Sequence, residues 1–203
     1  MTVDMKKVAA EFSSYMCGKF GAKVVQKETS DVMKAVATGF DLARMLGTGG
    51  LASGSDFLTR ITTTLGDTVY MPDATLNGDP REFIQILTHE IQHVIQFHAS
   101  STEFLWLYAT ETESRVKYET DAYAAGASMS FWLTGSFELS GNEDQIVSLL
   151  VADYHLQEAD SALAKVALKS LFSSLRNGII MSQSGREAVS WFERNYPSLK
   201  GTL

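Results

Sequence analysis

Apolar residues recur at helical spacing over most of this chain. Val8, Phe12, Tyr15, Met16 and Phe20 mark one face of a helix over residues 3–20. Val32, Met33, Val36, Phe40, Ala43 and Leu46 mark a second, which Thr29 or Ser30 can cap. Between them, residues 22–27 suit a short strand. Two stretches break the helical rhythm. Residues 58–64 and 67–71 are rich in Thr, Ile, Val and Tyr, are separated by Leu65-Gly66, and predict strands or a hairpin that Pro72 ends. The pattern is helical again over residues 79–98, 112–133, 143–157 and 159–176, and over 185–195 behind a capping box of Ser184 and Glu187. Ser100-Ser101 breaks the first of these from an aromatic run, residues 104–108, that reads as core or cleft wall. The sum is an α+β fold, mainly helical with a small β-sheet. The glycine- and serine-rich residues 47–55 set an N-terminal helical segment, 1–46, apart from the main part, 56–203, and the two read as one folded unit. Those glycines lack the lysine and Ser/Thr of a phosphate-cradling loop.

The helix at 79–98 is the best specified. Asp79 can cap it, Pro80 suits its first position, and Glu82 can return the hydrogen bond of a capping box. Phe83, Ile84, Ile86, Leu87, Ile91, Val94, Ile95 and Phe97 form its apolar arc, with Gln85, Gln92 and Gln96 beside His89 and His93. Two histidines four residues apart lie on one helical face, so both imidazoles can reach one metal ion. Glu90 falls at the edge of the apolar arc, where an unpaired carboxylate would cost several kcal/mol. A metal-dependent hydrolase justifies it as the base that takes a proton from the attacking water.

Composition narrows the classes. With 203 residues, 45% of them hydrophobic, the chain suits one domain with a sizeable core. A net charge of −7 with no cluster of Lys and Arg argues against nucleic acid as a partner. Cys17, the single cysteine, excludes an internal disulfide. No apolar run is long enough to span a membrane and the N-terminus lacks the core of a signal peptide, so a soluble chain is expected. Oligomeric state and compartment are not legible.

A third metal ligand must come from elsewhere. The helix at 112–133 carries Glu119 just before the small residues 124–127, which let another helix come close. Glu119 is the preferred ligand, with Glu111 and Glu113 as rivals. The strand at 67–71, with Val69 and Tyr70 at its middle, is the candidate surface for pairing with an extended substrate, on the expectation that it is an edge strand. Tyr154 or His155, polar groups in an apolar stretch, could stabilise an oxyanion.

His89-Glu90-Ile91-Gln92-His93 followed by the stretch from Tyr118 to Gly126, YETDAYAAG, resembles the gluzincin class of zinc metallopeptidases. That resemblance implies a zincin-like domain in which His89, His93 and Glu119 hold one Zn²⁺ per chain, Glu90 is the general base and a polypeptide is the substrate. Ala122 matches the small residue of the family's Glu-x-x-Ala. The longer string HEIQHVIQ, with GDTVYMP upstream, is similar to small peptidase-like domains of toxins carried by contractile injection systems. Tyr123 departs from the pattern, standing where many gluzincins carry an aspartate that orients a ligand histidine; Asp121 is the candidate to replace it. The alternative function is a structural or assembly protein that keeps the fold and the metal with little turnover.

Overall fold

The computed structural model describes residues 3–45, 53–154 and 156–202. Helix α1 (Met5–Phe20) starts where the Asp4 carboxylate accepts from the amides of Lys6 and Lys7, and it ends at Gly21, whose φ of 67° suits glycine. Strand β1 (Lys23–Gln26) and a 3₁₀ turn (Lys27–Thr29) lead into α2 (Asp31–Met45). Then follow α3 (Gly54–Arg60), β2 (Thr63–Leu65), β3 (Thr68–Met71), the single turn α4 (Asp73–Leu76) and the long α5 (Pro80–Thr110). The remainder is helical: α6 (Thr112–Thr134), α7 (Glu143–Tyr154), α8 (Glu158–Arg176) and α9 (Gln183–Asn195). The fold is α+β, mainly helical with a small mixed sheet, as the pattern predicts.

The sheet differs from expectation in two ways. Residues 58–60 are helix rather than strand, because the Ser53 hydroxyl caps α3 and Phe57 is buried with Met33 and Ala37; those contacts outweigh the local strand preference. Residues 47–52 of the glycine-rich stretch lie outside the described residues, and Ser53 and Gly54 belong to α3 and its cap. Second, β3 is the middle strand. It pairs antiparallel with β2 across the Gly66 turn (Thr63↔Tyr70, Leu65↔Thr68) and parallel with β1 (Lys23↔Thr68, Gln26↔Met71). The free edge beside α5 therefore belongs to β2.

One core joins Phe12 and Met16 of α1, Val69 and Met71 of β3, Ile84, Leu87, Ile91 and Val94 of α5, Leu133 of α6 and Phe192 of α9. A second joins Val116 and Ala127 of α6 to Ile146 and Leu150 of α7 and Leu168 and Phe172 of α8. Facing both cores, α6 is buried on most sides between Ala122 and Leu133 and shows no apolar stripe. The start of α9 corrects the expected capping box. Ser182 is the N-cap position, the buried Ser184 instead donates from its amide (3.1 Å) and hydroxyl (3.0 Å) to Gln92 Oε1, and Glu187 turns outward to Tyr15, Lys19 and Arg194.

Beneath the sheet lies Lys27, fully buried. Its ammonium donates to the Ile61 carbonyl and the Thr63 hydroxyl, each at 2.6 Å, and sits 3.4 Å from the centre of the Phe57 ring. Burial pulls this amine down to about 8 against the pull of Glu90 and Glu28. These bonds fix the segment that enters β2, and β2 borders the site.

Candidate metal centre

Helix α5 begins with Pro80 at the first turn and the Asp79 carboxylate accepting from the Arg81 amide; the expected return bond from Glu82 is not seen, and the Arg81 side chain pairs with Asp79 instead. Regular helix then sets His89 and His93 one turn apart, and their Nε2 atoms are 3.2 Å from each other. Helix α6 turns back after Thr110 and packs along α5. At Gly126 the two come so close that an added Cβ would lie 3.1 Å from the Gln85 carbonyl oxygen. The close approach delivers Glu119, whose carboxylate oxygens stand 3.7 Å from His89 Nε2 and 3.6 Å from His93 Nε2.

These spacings suit a metal. Donors bound tetrahedrally to zinc lie roughly 3.3–3.4 Å apart, which follows from bonds of about 2.0–2.1 Å. The two Nε2 atoms are 3.2 Å apart, and each has a different Glu119 oxygen near that edge length, Oε2 at 3.7 Å from His89 and Oε1 at 3.6 Å from His93. The hydrogen-bond network also frees the right atom. Gln96 donates from Nε2 to the Tyr118 carbonyl (3.1 Å), so its Oε1, 2.8 Å from His93 Nδ1, must accept. His93 therefore carries its proton on Nδ1 and directs the Nε2 lone pair at His89 and Glu119. A cation between them would satisfy these converging lone pairs and the carboxylate, and the N, N, O set is one that zinc accepts.

Without a metal, a proton meets part of that need. Burial alone would lower His93, but the Glu119 carboxylate reverses this and holds it up at about 9. Glu119, which burial would raise, is held down at about 2 by the two imidazoles. Burial pulls His89 down despite Glu90 and Glu119, leaving it neutral. Tyr108 and Tyr154 both donate to Glu119 Oε1, the latter at 2.8 Å, and burial pushes both phenols well up, so they stay donors.

Tyr108 reaches the centre through a bend. At Ser101 the backbone adopts φ 42° and ψ −108°, and the part of α5 beyond it swings round so that Tyr108 lies over His93, ring centres 6.0 Å apart. The expected break at Ser100-Ser101 is borne out: Ser101 is non-helical, and two helical arms of α5 meet there at a kink.

Glu90 borders the centre on the sheet side. It is 6% exposed, and Thr64 of β2 donates to its Oε2 at 2.6 Å. His89, Glu90, His93 and Glu119 share a cleft of about 520 Å³ with Thr62, Thr63 and Thr64, and Leu105, Tyr123 and Tyr154 also line it.

The structure therefore brings together His89, Glu90, His93, Glu119 and Tyr154. It does not bring Glu111 or Glu113, which are exposed, Glu111 bonding Ser114. Val69 and Tyr70 are corrected as substrate-binding residues: Val69 is fully buried in the core, Tyr70 packs toward the Met33 cluster, and both edges of their strand are already paired. His155 lies outside the described residues. Asp121 does not orient His93, since Gln96 does; Tyr123 packs edge-on against His89 at 4.7 Å. Sequence reasoning missed the roles of Thr64 and Gln96, and the bond from Tyr108 to Glu119; the reading of residues 104–108 as core or cleft wall is borne out by Phe104, Leu105 and Tyr108, which line the cleft. Only Gln96 left a signal, an amide three residues after His93 on the same face.

No family model matches the chain, and neither a search of curated proteins nor one of solved structures finds a match.

Proposed function

We propose that the chain is a zinc-dependent peptidase of gluzincin type, holding one Zn²⁺ through His89, His93 and Glu119. The observation that carries this reading is the convergence of those three donors in an open cleft with a carboxylate, Glu90, that is not needed to complete the ligand set. A zinc ion there would polarise a substrate carbonyl and acidify an attacking water. The protein's own part is positional and protonic. Thr64 holds Glu90 Oε2, so the other carboxylate oxygen is left to take the proton of the water and pass it to the leaving nitrogen. Tyr154 also lines the cleft, but its one hydroxyl proton goes to Glu119, so it could serve the oxygen that gains charge only by releasing that carboxylate. Among the described residues no strand covers the outer edge of β2, so backbone groups of residues 63–65 would be available to an extended polypeptide there.

Metal analysis tests the reading. The isolated protein should hold or take up about one zinc per chain, and His89→Ala or His93→Ala should lose it. A wild-type protein that cannot be loaded with zinc would overturn the proposal.

A further inference from the structure

Three buried glutamines lie along α5, each 7–8% exposed: Gln85, Gln92 and Gln96. Two have their amides committed, Gln92 to Ser184 and Gln96 to His93 and Tyr118. The amide of Gln85 has no hydrogen-bond partner among the described residues. It is not among the sealed polar atoms that lack a partner, which are Trp132 Nε1 and Ser182 Oγ, so the amide keeps a path to the cleft, where a leucine or methionine would offer no hydrogen-bonding group. Gln85 also lines the cleft, one helical turn before His89 and on the same face. Its amide nitrogen rests over Gly126, where a Cβ would come within 2.5 Å of it, so α6 has room for this side chain only because it carries no side chain of its own there.

A carboxamide offers one acceptor and two donors, and so can pair with both the N–H and the C=O of one peptide unit. One helical turn is roughly 5–6 Å along the axis, close to two residues of extended chain at about 3.3 Å each. We infer that Gln85 is a specificity-determining residue which pairs with a peptide unit within two residues of the scissile bond, selecting polypeptides over isolated esters or simple amides. This rests on the peptidase reading above.

The probe is a library of unstructured decapeptides. The best-cleaved sequence is then remade as analogues in which each amide within two residues of the cut is replaced in turn by an ester. For Gln85→Met, kcat/KM on the parent peptide should fall at least tenfold with zinc content unchanged and Tm unchanged or raised. One ester analogue should be cleaved at least tenfold less well by wild type and be indifferent to Gln85→Met. Gly126→Ala, whose methyl group displaces the amide, should reproduce the loss on the parent. In a Glu90→Gln background, adding Gln85→Met should weaken binding of the labelled parent peptide at least tenfold, a readout independent of turnover. Equal cleavage by wild type and Gln85→Met overturns this inference alone. So does an equal loss on parent and every ester analogue with a lowered Tm, which marks Gln85 as structural. Zinc-loaded wild type that cleaves no peptide overturns the peptidase reading and this inference together.

Discussion

The two arms of α5, residues 80–100 and 102–110, are built from similar residues and do different work. In the first, Ile84, Leu87, Ile91 and Val94 are fully buried, and the turns between them carry His89, Glu90 and His93. In the second, Phe104 alone is buried; Leu105 is partly open and Trp106 is 69% exposed. The second arm is tied down mainly through its end, where Arg115 donates to the Tyr108 carbonyl at 2.7 Å and the Ala109 carbonyl at 2.9 Å. His89 and His93 thus sit on a tightly packed arm of α5, and Glu119 on the buried helix α6. The hydroxyl that Tyr108 places on Glu119 comes from a lightly packed arm, reached through Ser101. The positions of His89 and His93 are set by burial, and the bond from Tyr108 to Glu119 by a bend that burial does not enforce.

The largest effect belongs to the first arm. Glu90→Gln keeps volume but cannot accept a proton, so hydrolysis should fall by about 10²–10⁴ while zinc stays bound. Measured peptide cleavage beside metal content checks it, and loss of zinc in this variant would show that Glu90 serves the ligand set instead. Gln96→Leu, still in the first arm, releases His93 Nδ1 and should weaken zinc binding by about 10–100-fold in a chelator competition. Tyr108→Phe, in the second arm, should weaken it less, because Tyr154 still donates to Glu119. A greater loss for Tyr108→Phe than for Gln96→Leu would reverse the comparison.

Across the cleft, the β2 wall is sensitive to pH. Lys27 titrates near 8 in the folded chain and near 10.5 when unfolded, so between those values the unfolded chain binds more protons and stability rises with pH. The gain should be on the order of 2 kcal/mol in denaturant unfolding, and absent in Lys27→Met. The smallest effect tests the bend itself. Ser101→Gly should stabilise by about 1 kcal/mol, because the backbone region it occupies is one that glycine enters without strain. A destabilised Ser101→Gly would mean that the hydroxyl, not the backbone, holds the bend.

What could be read from the sequence follows from the range of the interactions. The start of α5 was legible because Asp79, Pro80 and the apolar arc are all local, and His89, Glu90 and His93 inherit that helix. Glu119 was legible through the small residues beside it, which announce a close helix pair. The middle place of β3 was not, since its second partner is β1, joined by a pairing that leaves no mark on either strand. The cap of α9 was misplaced by two residues because Ser182 and Ser184 look alike locally; the latter is claimed by Gln92 from a distant helix. Thr64 was invisible as a site residue because it needs the sheet before it meets Glu90, and Tyr108, legible only as part of a cleft wall, needs the bend at Ser101 before it meets Glu119.

The parallel pairing of β1 with β3 also has a bearing on the order of assembly. Lys23 and Thr68 are 45 positions apart (68 − 23), so that ladder needs a long loop to close, whereas α5 and α6 are neighbours in the chain joined by a single residue. During folding the helical hairpin should form early and bring His89, His93 and Glu119 together before β3 is anchored to β1 and β2 is in place. A refolding chain would then capture zinc while its substrate groove is still unbuilt. In stopped-flow refolding, zinc uptake should precede the protection of β3 amides from hydrogen exchange, and peptide binding should appear only with the slower phase.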